Sequence, residues 1–142
     1  MRPERNPRLW IWLASAFLLL IILIIIAADL GWAGRLFPWV AYLPGQDVTA
    51  HFVLIGSLAM LVNLALNRRS LWVARRSVQL GSVIVLVLVT IEEFSQMWIR
   101  TRGFSLCDLS ADILGVLILG GWVSAKLHAR FSAGAEQPTS NP

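Results

Sequence analysis

The sequence predicts an all-α fold, a four-helix transmembrane bundle. Three observations point to it. The composition is that of a membrane protein: of 142 residues, 57% are hydrophobic and only 14% charged, and mean hydropathy is +0.70. Four apolar runs are each long enough to cross the hydrocarbon core, which takes about 20 residues of helix. Basic and acidic residues collect at opposite ends of those runs. A single domain fits this length, with a basic N-terminus at 1–8, a membrane domain at 9–131 and a small polar tail at 132–142 that reads as disordered.

The first span is the uncharged run 9–28, rich in Leu, Ile and Ala. Arg2, Arg5 and Arg8 precede it, as in a signal peptide, but the apolar run exceeds the roughly 7–15 residues of a signal core. It is therefore read as a retained span. The second span, 48–66, ends at Asn67, Arg68 and Arg69; the third, 78–97, is uncharged as far as Ile91 and acidic beyond; the fourth, 108–127, leads to His128 and Arg130.

Of the Lys and Arg residues, Arg2, Arg5, Arg8, Arg68, Arg69, Arg75, Arg76, Lys126 and Arg130 fall on one side, and only Arg35, Arg100 and Arg102 on the other. The positive-inside rule then places both termini in the cytoplasm. Tryptophans near span ends, among them Trp10, Trp39, Trp98 and Trp122, suit interfacial anchoring. The net charge of +4 belongs to this topology; the scattered basic pairs form no nucleic-acid surface. The outer connection 29–46 carries Trp32, Phe37, Trp39 and Tyr42 among Gly and Pro. It reads either as an interfacial loop or as a lid over the bundle mouth. Arg68, Arg69, Arg75 and Arg76 flank Trp72 on a short inner loop, where anionic lipid is the natural contact.

Ionisable groups within spans are costly, about 2.5–3.5 kcal/mol each at the bilayer centre on insertion scales. Here they recur on three spans at one level. Asp47 and His51 are one helical turn apart; Glu92 and Gln96 likewise, with Glu93 on the same side; Asp108, Asp112 and Gly115 share a face, and Ala111 with Gly115 lets a neighbouring helix approach closely. At helical rise His51, Glu92 and Asp112 lie roughly 5–7 Å inside their spans. Five carboxylates (Asp47, Glu92, Glu93, Asp108, Asp112) face Arg100 and Arg102, a formal −3 with His51 neutral. In a poorly hydrated pocket some of this charge must be protonated, paired with imidazolium or balanced by a cation, which argues against simple phosphate binding.

The bland readings are specific. Asp47 and Asp108 suit helix N-caps, the glutamates a solvated span end, Arg100 and Arg102 snorkelling to lipid phosphates, and His128 a helix C-terminus. Cys107 is alone, so no internal disulfide forms. The sequence contains no Walker, Gly-x-Ser-x-Gly, HExxH or Rossmann motif.

The stretch Glu92-Glu93-Phe94-Ser95-Gln96, then Arg102-Gly103-Phe104-Ser105, then Asp108, Asp112 and Gly115 resembles the VanZ-like membrane family. Upstream, Asp47-Val48-Thr49-Ala50-His51 resembles its Asp-Lys-x-x-His element, with Val48 where Lys is usual. Arg100-Thr101-Arg102 stands where Pro-Gly-Arg is common, and Asp112 where Asn is frequent. The likeness covers residues 47–121. It implies a bacterial cell-envelope protein in the cytoplasmic membrane; the family's namesake is associated with glycopeptide resistance, and the resemblance brings no agreed catalytic mechanism.

Three functions compete. In the first, Asp47, His51, Glu92, Glu93, Gln96, Arg102, Asp108 and Asp112 line an outward-facing pocket that engages a lipid head group, a cell-wall precursor or a peptide-like antibiotic. In the second, a membrane hydrolase or transferase uses His51 with Glu92 or Glu93 on a lipid-linked head group, with a divalent cation on the carboxylates; such a set suits magnesium, calcium or manganese better than copper. In the third, the charges only fasten helix ends. A proton-coupled transporter fits less well, because the ionisable groups stop near one surface.

Overall fold

The computed structural model describes residues 7–45, 47–73 and 76–133. The polar tail beyond Ala133, the residues preceding Pro7, Gln46 and Arg75 lie outside them. Helix α1 spans Pro7–Asp29, a short α2 Ala33–Leu36, α3 Asp47–Ala65, α4 Leu80–Ser95, α5 Leu106–Gly115 and α6 Ser124–Ala133. The last two are joined by a continuous helical segment, Val116–Val123, so four helices are long and apolar enough to cross a membrane: Arg8–Asp29, Asp47–Ala65, Leu80–Trp98 and Leu106–Arg130.

Helices α1 and α3 stop for a local reason. In α1 the Trp32 N–H bonds the Ala27 carbonyl at 2.8 Å and the Gly31 N–H the Ala28 carbonyl at 2.9 Å. This closing pattern needs a left-handed residue, supplied by Gly31 at φ +73°. At the far end of α3, Asn67 takes the same place at φ 52°, and the Arg68 N–H reaches the Asn63 carbonyl at 2.7 Å. Asparagine is the usual substitute for glycine there.

The described chain is mostly helical, with one short departure from an all-α bundle. The expected short loop around Trp72 is an antiparallel hairpin, β1 Ser70–Val73 against β2 Arg76–Gln79, in register Leu71↔Val78 and Trp72↔Ser77. Its aromatic and β-branched residues favour strand over coil. Val78 and Gln79, expected in the third span, belong to β2, and that span starts at Leu80. The bundle thus has a hairpin end and, opposite, an acidic end.

Helix α3 is central, packed against α1, α4, α5 and the 116–123 segment. The core joins Ile21, Ile55, Leu58, Ala59, Val85, Val89 and Val116, while much of α1 and the outward sides of α4 and α5 remain exposed and apolar. That inversion suits a protein solvated by lipid. Backbones of α3 and α5 touch at two glycines: a Cβ on Gly56 would stand 2.8 Å from the Gly115 carbonyl oxygen, and one on Gly115 would overlap the Phe52 carbonyl.

Near the hairpin end a second polar group is buried. Asn63, fully buried, donates to Ser82 Oγ at 2.8 Å and to the Gly120 carbonyl at 2.9 Å, and its Oδ1 accepts from the Ser82 N–H at 3.1 Å. Helix α4 has no side-chain cap from Gln79, so Asn63 satisfies its first turn from a neighbouring helix. Ser124 Oγ also donates to the Gly120 carbonyl. Asn63→Ala is expected to cost about 1–3 kcal/mol, the penalty for stranding buried polar groups, read as a lower unfolding midpoint in detergent. An unchanged midpoint would contradict this role.

Candidate functional site

Because α3 and α5 meet at Gly56 and Gly115, side chains about one turn nearer the acidic end face each other. His51 and Asp112 are those residues. His51 Nδ1 lies 3.1 Å and 3.2 Å from the two Asp112 carboxylate oxygens. Asp112 has no exposed surface, and the His51 side chain keeps 18%. A buried carboxylate beside one ring nitrogen fixes both the orientation of the imidazole and the proton on Nδ1.

Helix α4 brings the third group. Glu93 is fully buried; its Oε1 accepts the Ser105 N–H at 2.7 Å and its Oε2 the Gln96 amide at 3.2 Å. Gln96, also buried, donates through the same Nε2 to both Glu92 oxygens at 3.1 Å. Its Oε1 accepts from Arg102 Nε at 3.3 Å. The guanidinium therefore orients the amide, and the amide holds two glutamates. Arg102 Nη2 is 3.9 Å from Glu92 Oε1, with side chains 23% and 20% exposed, so this pair is the wetter edge of the site. Phe94 stacks on Phe104 with centroids 5.2 Å apart, bracing the 99–105 connection against α4.

His51, Glu93 and Asp112 each offer a ligand atom, all within 4.8 Å of one another. Counting Glu92, Glu93 and Asp112 against Arg102, the network carries a formal 1 − 3 = −2 with His51 neutral.

Two expected members stand elsewhere. Asp47 is exposed in the first turn of α3, outside the buried group. Asp108 does not cap the last span: Ser105 does, its Oγ accepting the Asp108 N–H at 3.2 Å, and the helix begins at Leu106. Asp108 is half-buried in that first turn, one helical turn before Asp112. Arg100 is exposed; α4 tightens into a 3₁₀ turn at Gln96–Trp98 and ends, so Arg100 does not continue the Gln96 face. Ser105 enters the sequence analysis only in the family-like stretch, not as a cap. Its signal is Ser105-x-x-Asp108 ahead of an apolar run, a capping pattern.

The connection between α1 and α3 is half structured, with α2 followed by a 3₁₀ turn Pro38–Tyr42. Thr101 Oγ1 ties it to the 99–105 connection by donating to the Asp29 carbonyl at 2.6 Å. Thr49 donates to the Pro44 carbonyl at its other end. Trp32, Trp39 and Tyr42 remain exposed. Beside the site, Val48, Thr49, Phe52, Leu106, Ala111 and Leu114 line a largely apolar groove between α3 and α5.

Comparison with protein-family models, with curated proteins and with solved structures returned no match. The functional reading therefore rests on the residues and their geometry.

Proposed function

We propose that this chain is a VanZ-like multi-pass protein of the bacterial cytoplasmic membrane, with both termini in the cytoplasm and the acidic end facing out. Its polar site engages a cell-envelope component: a lipid head group, a cell-wall precursor or a glycopeptide-type antibiotic. The observation that carries this reading is the meeting of His51, Glu93 and Asp112 from three helices, two of them without exposed surface. Fastening helix ends does not require so many ionisable groups at one depth, where each is expensive. Access would run past His51, Glu92 and Arg102, the members that keep some exposure.

The net negative charge supports a ligand that presents a cation, or one that binds through a cation, over a bare phosphate. A second reading draws on the His51–Asp112 pair. An imidazole oriented by a buried carboxylate is an apt general base, so the site also suits a hydrolase or transferase acting on a lipid-linked head group, with Glu92 or Glu93 alongside.

The test is expression in a bacterial host challenged with a glycopeptide such as teicoplanin. Wild-type chain is expected to raise the inhibitory concentration. The triple variant His51→Ala, Glu93→Ala, Asp112→Ala, at matched membrane abundance, is expected to fall to the empty-vector level. A triple variant as protective as wild type would remove the site.

A further inference from the structure

The structure assigns a divalent-metal site to His51, Glu93 and Asp112, one ligand from each of α3, α4 and α5. This deepens the proposed pocket and rests on it. The first argument is geometric. Two ligands at about 2.0–2.2 Å from a tetrahedral zinc ion stand roughly 3.3–3.6 Å apart. His51 Nδ1 and Asp112 Oδ1 are already 3.1 Å apart and all three ligand atoms lie within 4.8 Å of one another, so a closure of about 1–1.5 Å by the widest pair forms the shell.

The second argument concerns satisfaction. Asp112 is fully buried, yet its two oxygens share one ring nitrogen, at 3.1 Å and 3.2 Å. A single N–H divided between two oxygens bonds each more weakly than it would one. A cation at that place serves Asp112, Glu93 and the imidazole together, His51 binding through Nδ1 as the neutral tautomer that carries its proton on Nε2.

Charge is the third. The ion's two positive charges offset most of the carboxylate excess, a formal −2 in the hydrogen-bonded network and −3 with the half-buried Asp108, and so weaken the pocket's repulsion of an anionic head group. The surroundings behave like an outer shell: the Ser105 N–H and the Gln96 amide hold Glu93, and Arg102 orients Gln96. Such partners fix the orientation of the ligating groups in metal sites. One imidazole with two carboxylates selects zinc or manganese; magnesium and calcium take all-oxygen sets.

The experiment uses the full chain, free of any histidine tag, in lipid nanodiscs. It is stripped with chelator, re-equilibrated with zinc or manganese alone, and its metal content measured per chain. One tightly held ion per chain is expected for wild type and for Cys107→Ser, which removes the exposed thiol as a rival zinc ligand. Glu93→Gln and Asp112→Asn are expected to weaken binding at least about 10-fold, the scale on which even outer-shell losses act. A metal-dependent rise in wild-type unfolding temperature gives a readout independent of the variants' folding. Wild type that retains neither ion and shows no thermal shift overturns the metal site, as does undiminished binding by both variants. The pocket reading fails separately, when variants that lose the metal keep full protection against the glycopeptide.

Discussion

Gly115→Val is expected to be the most damaging single change in the membrane domain. Its branched side chain would occupy the space of the Phe52 carbonyl, and backbone cannot yield as a flexible side chain does. Helices α3 and α5 must separate, at a cost of about 3 kcal/mol or more, the upper range for overpacking. Gly103→Ala, where an added Cβ meets open space, should leave stability within about 0.5 kcal/mol. Comparing the two in a detergent unfolding series separates a packing effect from a general intolerance of larger residues. The Gly115 variant should also lose ligand and metal together, because the same contact sets the distance between His51 and Asp112.

The second large effect concerns that pair. His51→Leu strands the fully buried Asp112 without its donor, and breaking a buried pair from one side costs about 3–5 kcal/mol. Replacing both residues by leucine should recover most of this loss, since an apolar pair leaves no charge without a partner. The double variant then distinguishes a site from a fastening: stable but inactive if the residues engage a ligand, stable and active if they only join helices. A double variant as unstable as the single would contradict the pairing itself.

How far these residues could be read in advance follows from the physics of each. Four spans were legible because long apolar runs have few other fates, and the meeting of polar side chains could be anticipated because spacing and depth put them on facing sides. Glu93 rather than Glu92 is the fully buried member, a distinction that depends on helix rotation and therefore on packing. Gln96 could be placed with the glutamates by spacing alone; its orientation by Arg102 depends on how the chain turns after Trp98. Asn63, Ser82 and Ser124 gave no warning, since small uncharged polar residues are tolerated singly in spans and become a network only in three dimensions. The hairpin was hidden by its position between two apolar runs, where Val78 reads equally well as helix or strand.

The last span has a consequence for what this chain can vary. Between Gly115 and Ser124 the helix widens, the Ser124 N–H reaching back five residues to the Leu119 carbonyl. At about 100° per residue, a uniform α-helix would turn Ser124 about 180° away from Gly115, yet both are buried against the bundle. The slower winding of this stretch keeps both ends of the rod in phase. Losing or gaining one residue there would swing either the acidic cluster or the Asn63–Gly120–Ser124 knot by about 100° toward acyl chains. This span, like a key cut on two edges, is fixed in length by both its locks.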